Sequence, residues 1–493
     1  MTEAAVIGRS EELGPPERLH PLYLLTGLGQ TLRGAWGVLA GGAYFATQGR
    51  WWIAALMVAG FAAFSLASLF LKWLKLEYRV GAHEIRIDSG FLNRTSRAIP
   101  FDRVTDVDLE QGPVQRLLGL AKVKLETGAS AGAKDEEGVL HTIALARAEA
   151  LREHIRARKG LAVSPTTGEI AYDGPAVYAM DTPRVLTAGL FNFSLAVIAG
   201  LFGVSQTLGD ALGFDPFERQ FWIDLLARSE ALQALVMAHQ IIAVAAGSVL
   251  LIVIGTATGL LRTALREHGF RLDRTETGFR RRRGLLTLTD VTIPAKRAQA
   301  AILANGPVRR HFGWWVVKLQ SLAQDGGKGD HVVAPLADEA EATAILSSLK
   351  WPIAPRNDAW CPVSVAHVTS FIAMMGPATL ATIVASAFVG GWVFLWLAGA
   401  ALAVGMRWLD WKRTRYALAG EALFVETGWW RHRRNILPVT KIQSVDLAES
   451  FWTRAFGICT LRLGVAGGSG FSDHHVPALT RGEADALRGA LLA

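Results

Sequence analysis

The chain has 493 residues, 51% of them hydrophobic and only 19% charged, where an average soluble domain carries about 25% charged. Sixteen Trp, fifty Gly and a positive mean hydropathy point to a membrane rather than to a soluble core. The net charge of +8 then reads as Lys and Arg crowded on the cytoplasmic side, and the two cysteines, Cys361 and Cys459, exclude a disulfide framework.

Taken in order, residues 1–21 form a cytoplasmic segment. Glu3, Glu11, Glu12 and Glu17 fall where a cleavable signal would be basic, so the first span is expected to stay as an anchor. A span needs about 20 mostly apolar residues. Candidates run over 22–46 (with Gln30 and Arg33 near its start), 51–71, 185–208, 232–261, 365–388 (with a kink expected at Pro377) and 392–409. They pair into three hairpins, 22–72, 183–261 with an outer loop at 209–231, and 364–409. Polar segments follow at 76–158, 265–350 and 412–493, with linkers at 159–182 and 351–363.

Within the hairpins the connecting loops hold only Arg50, Arg219 and Arg228 of the 51 Lys and Arg. The far ends are basic: Lys72 and Lys75, Arg262 and Arg266, then Arg407, Lys412 and Arg413. The positive-inside rule therefore places both termini and all three polar segments in the cytoplasm of a bacterial inner membrane.

The polar segments repeat one frame, G-x9-P-x15-R-x2-G, at Gly90–Gly119, Gly284–Gly313 and Gly428–Gly457. Inside it, runs such as "EIRIDSG", "AKVKLETG" and "CTLRLGV" alternate apolar and polar residues, as half-buried strands do. Each copy closes with a His-bearing strand (His141, His331, His474 and His475) and a helix. Short antiparallel strands plus one terminal helix give the expected fold: α + β, six transmembrane helices in three hairpins, each followed by a pleckstrin-homology-like β-sandwich or open barrel.

On "RLHPLYLL" (Arg18–Leu25), "PRVLTAGLFNFS" (Pro183–Ser194) and the three "G…IP…V…R…G" units, the chain resembles the bacterial PH-like (bPH type 2) membrane proteins of the YdbT kind. The resemblance covers nearly the whole chain and implies a PH-like fold for each polar segment; it carries no catalytic residues over. The middle copy departs most, with Ala301-Ile302 where the others have Val-Asp and no Tyr at the place of Tyr78, which suggests a diverged surface.

The glycines and prolines of the frame read as turn and strand-entry residues. Arg116, Arg310 and Arg454 either pin loops by satisfying carbonyls or contact a lipid phosphate or a neighbouring domain. The basic runs, Arg280, Arg281, Arg282 and Arg283, then Arg431, Arg433 and Arg434, and more weakly Arg94 and Arg97, are either a surface for anionic lipid or a solvated face. No metal ligand spacing, phosphate-binding loop, nucleophile motif or nucleic-acid module is present, and no cofactor is expected. The expectation is a non-catalytic inner-membrane scaffold that binds protein partners, itself or anionic headgroups, in envelope maintenance or defence. The alternative is a transporter or channel formed by the six spans, for which Gln30, Arg33, His239 and Gln240 are the only polar hints.

Overall fold

The computed structural model describes residues 14–90, 95–127, 138–158, 176–194, 199–200, 203, 219–227, 234, 238–325, 328–352, 354–355, 359–389, 392–467 and 474–492. The expected third span, 185–208, is described as helix only in Thr182–Leu190 and at residues 199–200 and 203, and Arg94 lies outside the described residues. Three described helices are long and apolar enough to cross a membrane: Trp51–Lys75, Gln240–Glu267, and the stretch Ala366–Val384 of the Ala366–Val389 helix, which runs through Pro377 unbroken. The first expected span is divided at Ala35 into helices Tyr23–Gly34 and Trp36–Thr47, in a Gly-rich stretch of weak helix propensity. The last apolar helix, Trp392–Arg413, packs against Ala366–Val389.

The alternating runs form antiparallel strands. In the first module β1 (Glu17–Arg18), β2 (Glu77–Val80), β3 (Glu84–Ser89) and β4 (Thr95–Pro100) make one sheet, and β5 (Val104–Gln111), β6 (Leu120–Thr127) and β7 (Val139–Ala144) make a second. The same succession recurs as β8 (Ala176–Ala179), β9 (Arg271–Arg274), β10 (Gly278–Arg283) and β11 (Leu288–Pro294), then β12 (Ala298–Asn305), β13 (Trp315–Asp325) and β14 (Lys328–Ala337). It recurs again as β15 (Cys361–Pro362), β16 (Arg415–Ala419), β17 (Ala422–Thr427) and β18 (His432–Pro438), then β19 (Ile442–Ala448), β20 (Ile458–Val465) and β21 (His475–Thr480). Helices Leu145–Arg158, Glu339–Ser348 and Arg481–Leu492 close the modules and bury residues such as Leu151, Ile345 and Leu487 in their cores.

The modules are less separate than the sequence suggests. Each takes its first short strand from before the membrane helices, so the segments read as a cytoplasmic N-terminal stretch and as linkers contribute β1, β8 and β15, and buried Leu19, Tyr178 and Val363. Tyr178 pairs with Leu272, which stands where the other modules have Tyr78 and Tyr416, and so returns an aromatic ring to that part of the middle core.

Successive modules share sheets. β5 pairs with β11 and β12 pairs with β18, so the three-stranded half of one module and the four-stranded half of the next form single seven-stranded sheets, β7-β6-β5-β11-β10-β9-β8 and β14-β13-β12-β18-β17-β16-β15. The register is the same at both junctions: Leu109 faces Asp290, and Leu303 faces Arg434. Ala301 is fully buried at the second junction, opposite Ile436, so the divergence at Ala301-Ile302 lies in an interface and not on an exposed surface.

Gly284 and Gly428 hold φ of +115° and +86°, and a Cβ on either would meet a backbone oxygen, Thr287 O at 1.9 Å or Arg431 O at 2.2 Å. Strain of this kind costs of the order of 1–3 kcal/mol before the clash is counted. Gly284→Ala should therefore lower the unfolding temperature more than Gly313→Ala, whose φ is +72° with open space around it. Equal shifts in thermal unfolding of the two variants would contradict this.

Candidate membrane-surface site

The three frame arginines have unlike surroundings. Arg116 Nη1 donates to the Leu285 carbonyl at 2.7 Å, and Arg310 Nη1 donates to the Trp429 carbonyl at 3.3 Å. Each acceptor follows the frame glycine of the next module, so both arginines pin a loop and contact a neighbouring domain at once. The side chain of Arg454 is 71% exposed, with Glu449 3.7 Å away.

The Arg280–Arg283 run is not the exposed patch that the sequence reading expects. A strand sends successive side chains to opposite faces, and β10 lies between β9 and β11. Arg281 is completely buried, with Nη1 donating to Val332 O at 3.1 Å, and Arg283 is buried against Glu267 at 2.9 and 3.0 Å. Arg280 grips Asp290 through two hydrogen bonds of 2.9 and 2.6 Å, and Arg152 of the preceding module reaches the same carboxylate at 3.0 Å. Arg282 is half-buried on the other face. Burial opposes the charge on Asp290, but the two guanidiniums outweigh it and hold its pKa well below the usual carboxylate range.

Of the third-module cluster, Arg431 and Arg433 are exposed, whereas Arg434 is drawn inward onto Glu426 at 2.7 Å and lies over the Trp315 ring of the middle module. Arg97 is half-buried on β4. His474 is buried against Gln320 of the middle module at 2.7 Å, while His475 is exposed, as opposite faces of a strand require. His239 stands just before the Gln240–Glu267 helix begins, not along its membrane-crossing length.

The sequence reading missed a polar cleft of about 290 Å³ where the long helix of the second module leaves the apolar region. Arg262, Thr263, Arg266 and Glu267 line one side, and Asn192, Phe193 and Ser194 the other. Gly259 makes it possible: a Cβ there would sit 1.8 Å from Asn192 O. Asn192 is fixed from both sides, donating to Thr263 Oγ1 at 2.9 Å and accepting from Arg309 at 2.7 Å, while burial lowers the Arg309 pKa. The one acidic lining residue, Glu267, is shared between the buried Arg283 and Arg266, whose Nε lies 3.4 Å from its Oε1, and Arg262 adds a further cation, so the lining carries more positive than negative charge.

A sequence signal for this cleft exists. At the same distance before Gly90 and Gly428 stand Trp73 and Trp411, whose indole N–H groups donate to Leu19 O and Val363 O, both at 3.0 Å. Glu267 takes that place before Gly284, and with it a buried ion pair replaces a staple of indole on backbone. Around the same level lies an apolar fringe: Leu117, Leu286, Phe312, Trp430 and Phe451 are all strongly exposed. Phe312 touches Phe191, Leu285 N–H bonds to Leu265 O, and Trp452 bonds to Ser370 O, so the fringe sits at the membrane ends of the helices. Aromatic residues are favoured at that depth.

The model of the Bacterial PH domain family matches three segments of the chain, residues 23–159, 227–351 and 369–493. The UPF0699 transmembrane protein YdbT of Bacillus subtilis (strain 168) is 25% identical over 276 residues, 54% of this chain and 52% of that protein. The UPF0699 transmembrane protein YdbS of the same organism is 33% identical over 84 residues, 16% of this chain and 53% of that protein. The matches thus span about half the length of each relative. No solved structure matches. Three family matches, each over helices and β module together, identify the chain as a membrane protein of the bacterial PH domain family, similar to YdbT.

Proposed function

We propose that this protein is a non-catalytic scaffold of the bacterial inner membrane. Six spans in three hairpins anchor three PH-like modules on the cytoplasmic side, and the second module takes the phosphate of an anionic lipid headgroup. The observation that carries this reading is the cleft lined by Arg262 and Arg266 at the membrane end of the long helix. A lipid phosphate lies at that depth. Two guanidiniums with the Thr263 hydroxyl beside them suit a phosphate, because Arg forks match its oxygens and neutral donors complete the set. The Glu267–Arg283 pair keeps the nearby carboxylate from repelling it. The apolar fringe fits the same picture, since it would hold all three modules at the headgroup layer.

The test is native mass spectrometry of the full chain released from detergent with phosphatidylglycerol or phosphatidylcholine. Each cation near the surface is worth about 1 kcal/mol. Arg262→Gln with Arg266→Gln should weaken retention of one phosphatidylglycerol about 30-fold, with no change for phosphatidylcholine. Unchanged retention of phosphatidylglycerol would remove the cleft from the account.

A further inference from the structure

Two strand edges of this molecule are halves of one missing junction. β4 ends the sheet β1-β2-β3-β4, and β19 ends the sheet β19-β20-β21. They hold the places in their modules that β11 and β18, and β5 and β12, hold in the others, and those four strands are all paired between modules. Their exposure agrees. Leu109 and Leu303 are buried at the two junctions, but Leu447, at the same distance after its frame proline, is only half-buried. Thr95 and Ser96 of β4 are exposed where Asp290 of β11 is buried. Arg454 likewise lacks the next-module carbonyl that Arg116 and Arg310 hold.

We infer that β19 of one copy pairs antiparallel with β4 of a second copy, joining the chains head to tail in the plane of the membrane. The register follows from the two junctions already in the molecule: Leu447 opposite Ser96, Asp446 opposite Arg97, and Val445 opposite Ala98. The Asp446–Arg97 pair is complementary in charge, whereas Asn435 faces Ile302 at the matching place of the second junction. An unprotected edge is a template for another strand, and main-chain pairing of this kind supplies affinity while side chains set register. A second copy is the occupant the surface fits, because both halves lie on this chain yet neither edge has a partner strand among the described residues. The contact is heterologous, so it closes into a ring or grows into a row. It deepens the scaffold reading by naming a partner, and the two fail separately, since headgroup retention is read on the single chain.

The test co-expresses two differently tagged full-length copies in one membrane, both Cys361→Ala, one with Ser96→Cys and the other with Leu447→Cys. Directly opposed residues hold Cβ atoms about 4.5–5.5 Å apart, so oxidation should yield a disulfide between the two tags. Asp446→Arg in the Leu447→Cys copy should reduce it at least fivefold, and Arg97→Asp in the other copy should restore it. Linkage only to a different protein, or no linkage, would each overturn the inference.

Discussion

Asp290→Asn should destabilise the protein by about 3–5 kcal/mol, and the loss should fall on the first junction. Asp290 is buried and receives Arg280 from its own module and Arg152 from the module before it. Removing one partner of a buried ion pair leaves the others desolvated and uncompensated, which costs about that much. An amide oxygen still accepts a hydrogen bond but balances no charge. Limited proteolysis should then cut β5 and β11 before any strand of the third module. The depressed pKa also sets a pH window. The contribution of Asp290 is complete above the ordinary carboxylate pKa of about 4 and is lost as pH falls through its lower folded value. The junction should therefore hold from neutral pH down to about 4 and loosen only in stronger acid. Replacing Asp290, Arg280 and Arg152 together by apolar residues of similar volume should cost far less than Asp290→Asn alone. If the single change proves as mild as the triple one, the carboxylate does not hold the junction.

Glu426→Gln should have an effect of similar size at the second junction. Glu426 is 2% exposed and accepts from Arg415 at 2.5 Å and Arg434 at 2.7 Å, with His432 Nε2 3.9 Å away. Burial works against its charge, yet the two arginines prevail and keep its pKa below the usual range. Arg434 and His432 both lean on Trp315 of the middle module, so losing the carboxylate releases a cation–π contact and a ring contact between modules. A loss of about 3–5 kcal/mol is expected, together with a change in Trp315 fluorescence in a chain whose other tryptophans have been reduced around it. Thermal unfolding indistinguishable from the parent chain would contradict the assignment.

The two carboxylates also show why the junctions were illegible in sequence. Asp290 and Arg434 hold the same place relative to their frame prolines, and so do Arg282 and Glu426. The cross-strand pair is kept with its charges exchanged, and Asp88 opposite Ser96 fills the place in the first module. No motif survives that exchange. The frame itself was legible because it rests on backbone: positive φ at the glycines and strand entry at the prolines. The strands were legible from alternation, and the terminal helices from their position. Alternation says which face of a strand is apolar; it does not say which edge will find a partner. For the same reason four adjacent arginines looked like a patch, although a strand divides them between two faces and here buries two of them. The cleft stayed hidden because its lining comes from the separate segments 192–194 and 259–267, and Glu267 signals it only once its counterparts Trp73 and Trp411 are seen to be staples.

The central claim is that the modules are welded edge to edge into shared sheets. Hydrogen–deuterium exchange on the full chain in lipid nanodiscs tests it most directly, because paired backbone amides exchange only on opening. Peptides covering Leu288–Asp290 with Leu109–Gln111, and Ala301–Asn305 with His432–Ile436, should exchange as slowly as the β2–β3 hairpin inside a single module. Exchange of both junctions at the rate of solvent-exposed strand edges would show three modules that merely sit side by side.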